Sequence, residues 1–310
     1  MITVPKRRNE SVKSAIRMVT FPLRNHLWMF RYMRALHLSP AIYQHLYFFG
    51  SFDVNVTESA KFRIQHFGHY VENELFWAGY GAGRFEPMSM TVWATLCQEA
   101  NFIADVGANT GVYALAAASV NPSARVVAVE PVRRIYDKLV KNLALNRFSI
   151  ESFMVAASES DGEATLFDLE SEHNYSSSLD QKMVAGLTYT KTTVRAARLD
   201  TLFDEIRLRN IDLIKVDVER HEPSVLRGMS QRLQRDRPTV LIEILDSDVR
   251  CAVADIIDGL DYRLFLIDEL KGLRSCANLR IHSEPSSRGS RNYLICAPIN
   301  LQKIMQYVYD

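Results

Sequence analysis

The sequence predicts an α/β protein built on a mostly parallel sheet, with a mostly helical N-terminal segment ahead of it. Three observations carry this reading. From residue 102 onward, short β-branched runs alternate with longer amphipathic stretches, the pattern of βαβ units. The first run leads into a glycine-bearing turn and an Ala-rich stretch, as in open sheets that bind ligands beyond their strand ends. Of the 310 residues, 47% are hydrophobic and 24% charged, an ordinary globular balance that excludes a disordered or collagenous chain.

The elements follow in order. Residues 102–106 read as a short buried strand, and 110–120 as a helix stopped by Asn121-Pro122. Residues 125–129 form a second strand. Residues 132–146 carry Ile135, Leu139 and Leu143 at helical spacing, flanked by Tyr136 and Val140. A third strand is expected at 153–157. Residues 158–200 break the rhythm: Asp161-Gly162 signals a turn, and 164–169 and 192–196 read as strands, so a hairpin-like excursion is expected there. The alternation then resumes with a helix at 199–208, a strand at 211–218, a helix at 223–233 opened by Pro223, and a strand at 240–245. A helix at 247–260, a strand at 262–267 and a last strand at 292–297 complete it. The expected organisation is a basic, aromatic-rich, mostly helical subdomain at 1–100 packed on the body, the body at 101–298, and a tail at 299–310.

The net charge of +1 hides an asymmetry. Residues 1–50 hold Lys6, Arg7, Arg8, Lys13, Arg17, Arg24, Arg31 and Arg34 against Glu10 alone, so this segment carries +7 and the remainder −6. Such a segment suits a surface role at an anionic acceptor or an anionic membrane carrying a lipid-linked glycan, or else a solvated helical face that only packs on the body. The longest stretch free of formal charge, 35–52, contains Pro40 and Gly50 and falls short of the roughly 20 apolar residues a membrane span needs. No apolar run of the signal-peptide kind follows the basic residues at 6–8. Cys97, Cys251, Cys276 and Cys296 lie far apart without a Cys-x-x-Cys pair, so reduced thiols in a cytoplasmic protein, peripheral at a membrane at most, are expected.

The segment Asp105-Val-Gly-Ala-Asn-Thr-Gly111 follows a strand and opens a helix. Glycines there let backbone pass close to a ligand. The spacing Gly107-x-x-x-Gly111 is not the Gly-x-Gly-x-x-Gly of a dinucleotide site, which disfavours a nicotinamide dehydrogenase, and no Gly-Lys-Ser/Thr ending is present, which excludes a P-loop. A ligand that fits is a nucleoside with a charged amino-acid tail, such as S-adenosylmethionine, with Asp105 attracting its ammonium. Glu130, 25 residues later at the end of the second strand, suits the two ribose hydroxyls. Each half alone is an ordinary turn or a solvated acid; together on consecutive strands they predict a nucleoside site.

These residues, with Val129-Glu130-Pro131, Asn142 and Leu145-Asn146, Leu199-Asp-Thr-Leu202 and Ile214-Lys-Val-Asp-Val-Glu219, resemble the FkbM family of S-adenosylmethionine-dependent methyltransferases. Gly83-Arg-Phe-Glu86-Pro87 resembles the motif that family carries just ahead of its first strand. The resemblance spans roughly residues 70–298 by motif order. It implies a Rossmann-like class I methyltransferase fold, with a seven-stranded sheet whose last strand runs antiparallel. It also implies O-methylation of sugar or polyketide hydroxyls. By the same resemblance Asp105, Gly107, Ala108, Asn109, Gly111, Glu130 and Pro131 are cofactor contacts, and Ala156 or Ala157 lies near the adenine.

The second polar cluster is Asp217-Val-Glu219-Arg220-His221-Glu222. If the strand stays extended, Asp217 and Glu219 share one face at its carboxyl end. A hydroxyl acceptor must lose its proton, and His221 is the best base by intrinsic pKa, with Asp217 or Glu219 as alternatives or as its orienting partner. Asp217, Glu219, Glu243 and His221 are conceivable metal ligands, but no tight ligand spacing supports a metal, and none is expected. The family usually has Gly where this chain has Arg220; either the turn does not require φ > 0, or the loop has shifted. The guanidinium then binds an anionic acceptor or is simply solvated. Tyr175, Phe76, Trp77 and Tyr80, with Ser176–Ser178, read first as core and turn positions and, as the alternative, as the lining of an acceptor pocket.

The leading expectation is an O-methyltransferase acting on a glycan, glycolipid or polyketide-like hydroxyl. The alternatives are a nucleic-acid methyltransferase, favoured only by the basic N-terminus and lacking an Asn-Pro-Pro-Tyr-type motif, and an inactive methyltransferase-like binding protein.

Overall fold

The computed structural model describes residues 25–168, 177–179, 189–280 and 291–309. Lys6, Arg7, Arg8, Lys13, Arg17 and Arg24 of the basic segment, and Tyr175 and Ser176, lie outside the described residues.

In chain order the elements are α1 (Leu27–Arg34), α2 (Pro40–Tyr43), β1 (Gly50–Asn55), β2 (Lys61–His66), α3 (Tyr70–Trp77) and α4 (Pro87–Cys97). Next come β3 (Phe102–Val106), α5 (Val112–Val120), β4 (Arg125–Val129), α6 (Arg133–Ala144), β5 (Ile150–Phe153), β6 (Ala156–Ala157), β7 (Gly162–Asp168), β8 (Ser177–Ser178) and β9 (Thr190–Ala197). The remainder is α7 (Leu199–Glu205), β10 (Leu213–Val216), α8 (Glu222–Gly228), α9 (Ser230–Arg235), β11 (Thr239–Glu243), α10 (Ser247–Ile257), β12 (Arg263–Asp268), β13 (Gly272–Cys276), β14 (Asn292–Cys296), α11 (Leu301–Ile304) and β15 (Val308–Tyr309).

The main sheet has the order β15-β13-β12-β14-β11-β10-β3-β4-β5. Strands β5, β4, β3, β10 and β11 are mutually parallel, and β14 inserts antiparallel between β11 and β12. These seven strands are the Rossmann-like arrangement with an antiparallel last strand that the sequence predicts. The sheet is nonetheless nine-stranded: β13 adds antiparallel to β12, and β15 adds parallel to β13. Residues 299–309, expected as a tail, therefore supply a helix and an edge strand. The expected third strand at 153–157 splits. It leaves the main sheet at Phe153, and Ala156–Ala157 joins β9 in a separate four-stranded sheet built on the excursion expected from Asp161-Gly162.

Helix α5 explains the N-terminal layer. Its sequence VYALAAASV is apolar all round, and only Val120 escapes burial. Such a helix needs cover on both faces. The sheet covers one face, and the N-terminal elements share the second part of the same core, with Phe30, Phe48, Phe52, Phe62, Phe76 and Trp93 clustered with Ala114–Ala118. The N-terminal layer is not only helical, because β1 and β2 form an antiparallel hairpin whose inward residues are Phe52, Val54, Phe62 and Ile64.

Asn142 and Asn146, one turn apart on and just beyond α6, tie this hairpin to the glycine turn. Asn142 Oδ1 accepts from the Gln65 amide at 2.9 Å, and its Nδ2 donates to the Thr110 carbonyl at 2.7 Å. Asn146 pairs with both backbone groups of Arg63, each at 2.8 Å. Asn142→Ala leaves the buried Thr110 carbonyl and the half-buried Gln65 amide without this partner. That substitution is expected to cost about 2–4 kcal/mol by urea denaturation, at about 1–3 kcal/mol per unsatisfied group. A change below about 0.5 kcal/mol contradicts the bridge.

Candidate active site

A cavity of about 310 Å³ opens at the carboxyl ends of β3, β4, β10 and β11, within the range of small-molecule sites. One wall consists of Gly107, Ala108, Asn109, Glu130, Pro131, Ala156 and Ala157. The opposite wall holds Lys215, Asp217, Val218, Glu219, His221 and Glu243. The N-terminal layer contributes His69, Tyr70, Val71, Phe85 and Glu86, and Leu166 and Leu179 also line the cavity.

The glycine turn wraps onto the end of β4. The Gly107 and Ala108 amides both donate to the Val129 carbonyl at 2.9 Å, and the Asn109 amide donates to Glu130 Oε2 at 3.0 Å. Glu130 Oε1 accepts from the Val132 amide at 2.9 Å. These amides are thus satisfied within the protein, and the turn approaches a ligand by its shape. Gly107 has φ +77, and a Cβ there would lie 1.8 Å from the Asp217 carbonyl oxygen. The turn and the end of β10 therefore touch, joined also by the Asp217 amide donating to the Val106 carbonyl at 3.0 Å.

Two of the residues predicted as cofactor contacts do not line the cavity. Gly111, φ +92, is needed because a Cβ there would sit 2.6 Å from Leu139 Cδ1 of α6. Asp105 lies one layer beneath the turn, where its Oδ2 accepts from the Ala114 amide at 2.9 Å in the first turn of α5. Its Oδ1 is buried without a hydrogen bond. Burial pushes the Asp105 carboxyl up to about 6, against the opposing pull of Lys215. Burial likewise pushes Glu130 up to about 7.

At the other wall the strand does not continue as expected. β10 ends at Val216, and Glu219 and Arg220 adopt φ +53 and +78. Asp217, Val218 and Glu219 all reach the cavity as a turn, not as alternate residues of an extended strand. The left-handed conformation at the position of Arg220 is therefore kept despite the side chain. Glu222, fully buried, fixes it: its Oε1 accepts from the Val218 amide at 3.3 Å and the Arg220 amide at 3.1 Å. The Arg220 guanidinium pairs with Asp246, the N-cap of α10, which corrects both the solvated and the acceptor-binding readings.

His221 Nε2 lies 3.2 Å from Ser158 Oγ. Lys215, nearly fully buried, sits 2.8 Å from Asp217 Oδ2 and 4.7 Å from the Tyr113 ring centre. Glu86 accepts from Tyr113 Oη at 2.5 Å and Asn292 Nδ2 at 3.1 Å. Burial, then Asp217 and Glu219, push Glu243 up to about 9. Among the described residues no group of three His, Cys, Asp or Glu side chains is placed to hold a metal ion.

The described aromatics weighed for core or for an acceptor pocket follow the core reading. Phe76 and Trp77 are core residues, and Tyr80 Oη donates to the Met90 carbonyl at 3.0 Å; the aromatics at the cavity are Tyr70, Phe85 and Tyr113. Sequence reasoning named Glu243 only as a conceivable metal ligand and gave Lys215 no role, although Lys215 lies two residues before Asp217 and Glu243 ends the neighbouring strand.

The family profile of the methyltransferase FkbM domain matches residues 105–265, just over half of the chain. Methyltransferase sdnD of Sordaria araneosa is 31% identical over 157 residues, covering 42% of this chain and 61% of that protein. Methyltransferase 1 of Beauveria bassiana is 27% identical over 164 residues, covering 47% and 66%. The AMB antimetabolite synthetase AmbE of Pseudomonas aeruginosa is 27% identical over 176 residues, 46% of this chain and 8% of that protein. The matches span less than two thirds of each of these relatives. A crystal structure of methyltransferase FkbM from Methylobacillus flagellatus overlays with TM-score 0.39 at 18% identity, covering 53% of this chain and 39% of that one. With a profile match that runs from Asp105 beneath the glycine turn to Phe265 in β12, the chain belongs to the methyltransferase FkbM domain family.

Proposed function

We propose that the protein is an S-adenosylmethionine-dependent methyltransferase that methylates a hydroxyl of a glycan, glycolipid or polyketide-like acceptor. The observation that carries this reading is the direct contact between the glycine turn and the end of β10, which makes one cavity of the nucleoside-type wall and the acid–base wall. The nucleoside wall suits a ligand rich in donors. Asn109 Oδ1 at the cavity is a buried acceptor without a hydrogen bond, and Glu130 is an acid destabilised by burial. An ammonium and two ribose hydroxyls answer that need. For the carboxylate of the cofactor tail, His69 is the basic group of the N-terminal layer at the cavity, backed by Lys138 Nζ at 2.9 Å from its Nε2.

When bound, S-adenosylmethionine supplies a methyl group on a sulfonium, already activated for in-line displacement. What remains for the protein is alignment and removal of the hydroxyl proton. His221 is assigned as the base, with Ser158 Oγ orienting its ring. Asp217, held by Lys215, orients the acceptor together with Glu219. Glu243 stays protonated near neutral pH, so it donates a hydrogen bond to the acceptor and does not compete as a base.

Glu130→Ala is expected to weaken S-adenosylmethionine binding roughly 10–100-fold by calorimetry, the value of one or two hydrogen bonds to a charged group. His221→Asn is expected to lower turnover by about 100-fold or more while cofactor affinity stays within about twofold. Wild-type turnover in that variant removes His221 as the base. The acceptor itself is reached by incubating the protein with labelled cofactor and fractionated extract and identifying the methylated product; labelled nucleic acid instead of a small molecule or glycan would overturn the acceptor class.

A further inference from the structure

Helix α1 has two unlike faces. Phe30 is buried, Leu27 and Met33 pack on the core, and Arg34 lies over the Phe76 ring at 5.4 Å. Opposite them, Trp28, Tyr32 and Leu36 are 69%, 71% and 60% exposed. They are spaced by four and so lie in one row, with Leu36 on the turn that continues the helix. Phe49, also exposed, adjoins this region, since the next residue, Gly50, packs against the Leu27 side chain. Single exposed hydrophobics need no explanation, but a row holding Trp and Tyr is an apolar patch with aromatic edges.

The charge of α1 and of the sequence leading into it selects the occupant. α1 contains Arg31 and Arg34 and no acid, Arg31 is exposed beside the row, and the preceding 24 residues carry six basic residues against Glu10. A second copy of the same surface would bring two +7 segments together, which opposes self-association. An anionic lipid surface meets both features: Trp and Tyr favour the membrane–water interface, and each Lys or Arg near a negative leaflet adds attraction. Among the described residues no helix is long and apolar enough to cross a membrane, so the contact is peripheral.

We propose that the Trp28–Tyr32–Leu36 face of α1, with Arg31 beside it, docks the protein onto an anionic membrane surface. This goes beyond the methyltransferase reading and does not depend on it.

The chain carries its own probe. Of its three tryptophans, Trp77 and Trp93 are buried, so a change in emission on adding lipid reports Trp28. The full chain is mixed with vesicles of phosphatidylcholine alone, or with about one third phosphatidylglycerol. The expected result is a blue shift and cosedimentation with the anionic vesicles only. Trp28→Glu/Tyr32→Glu is expected to weaken that binding at least about tenfold, with thermal midpoint and S-adenosylmethionine affinity unchanged. If the double variant fails to fold, Tyr32→Gln, at a highly exposed side chain, is measured in its place and is expected to weaken binding severalfold. Equal binding of variant and wild type overturns the proposal. So does a concentration-dependent dimer lost in the variant without any lipid binding, or binding of the row to an RNA oligonucleotide in preference to vesicles.

Discussion

Gly107→Ala is expected to abolish measurable binding of S-adenosylmethionine and to lower the folding stability by about 3 kcal/mol or more. Two costs add. The residue sits at φ +77, where a Cβ costs roughly 1–2 kcal/mol. That Cβ would also stand 1.8 Å from the Asp217 carbonyl oxygen, a backbone atom that cannot rotate aside. To make room, the turn must part from β10. That strains the Asp217 amide bond to the Val106 carbonyl and the two amide bonds to the Val129 carbonyl. It also separates the two walls of the cavity, so affinity suffers more than stability alone implies. Gly259 supplies the control: its φ is +73, yet nothing lies within 4 Å of a Cβ there. Gly259→Ala should therefore show the backbone cost alone, about 1 kcal/mol, with normal cofactor affinity. Urea denaturation and calorimetry on both variants check this. If the two variants behave alike, the contact between the turn and β10 is not what the site depends on.

The parts of this site that were legible in the sequence are the local ones. The turn from Asp105 to Gly111 and the acid at Glu130 stand at strand ends marked by β-branched runs, and periodicity alone orders those strands. The same locality explains what the sequence left open. Asp105 and Gly111 belong to the motif, but whether a motif residue faces the ligand or the layer beneath depends on the packing of α5 and α6. Phe76 and Trp77 read as core with an acceptor platform as the alternative, and they are core, because α5 is apolar all round and needs aromatic cover. The β1–β2 hairpin was there to be read: its burial alternates along both strands, but its Phe and Val residues were submerged in the aromatic, basic composition around them. His69, Tyr70, Phe85 and Glu243 come to the cavity from three separate segments, and only the tertiary fold assembles them.

Lys215→Met is the second large effect, and pH gives it a distinctive signature. Lys215 is the cation among Asp105, Glu86 and Asp217, and these acids hold its ammonium well above the usual lysine range although burial opposes them. Removing it leaves buried carboxylates without their counter-charge, expected to cost roughly 3–5 kcal/mol near pH 8 and to lower the thermal midpoint by roughly 5–10 °C. The wild type already leans in a set direction. Glu243 moves from 4.5 to about 9, Glu130 from 4.5 to about 7 and Asp105 from 3.8 to about 6, so the folded protein binds more protons than the unfolded chain across that window. Stability from such groups is fully present below their ordinary range and is lost as pH rises through the folded values, so the cofactor-free protein should lose stability from about pH 4.5 to 9. Without Lys215, which draws the pKa of Asp105, Glu86 and Glu243 downward, these three carboxylates hold their protons still more tightly when folded. The variant should therefore lie closest to wild type at about pH 5 and fall away from it as pH rises. Thermal denaturation followed by circular dichroism at a series of pH values measures both curves. Parallel curves would mean that Lys215 supports the fold through packing alone, and that the acids at the end of β10 do not depend on its charge.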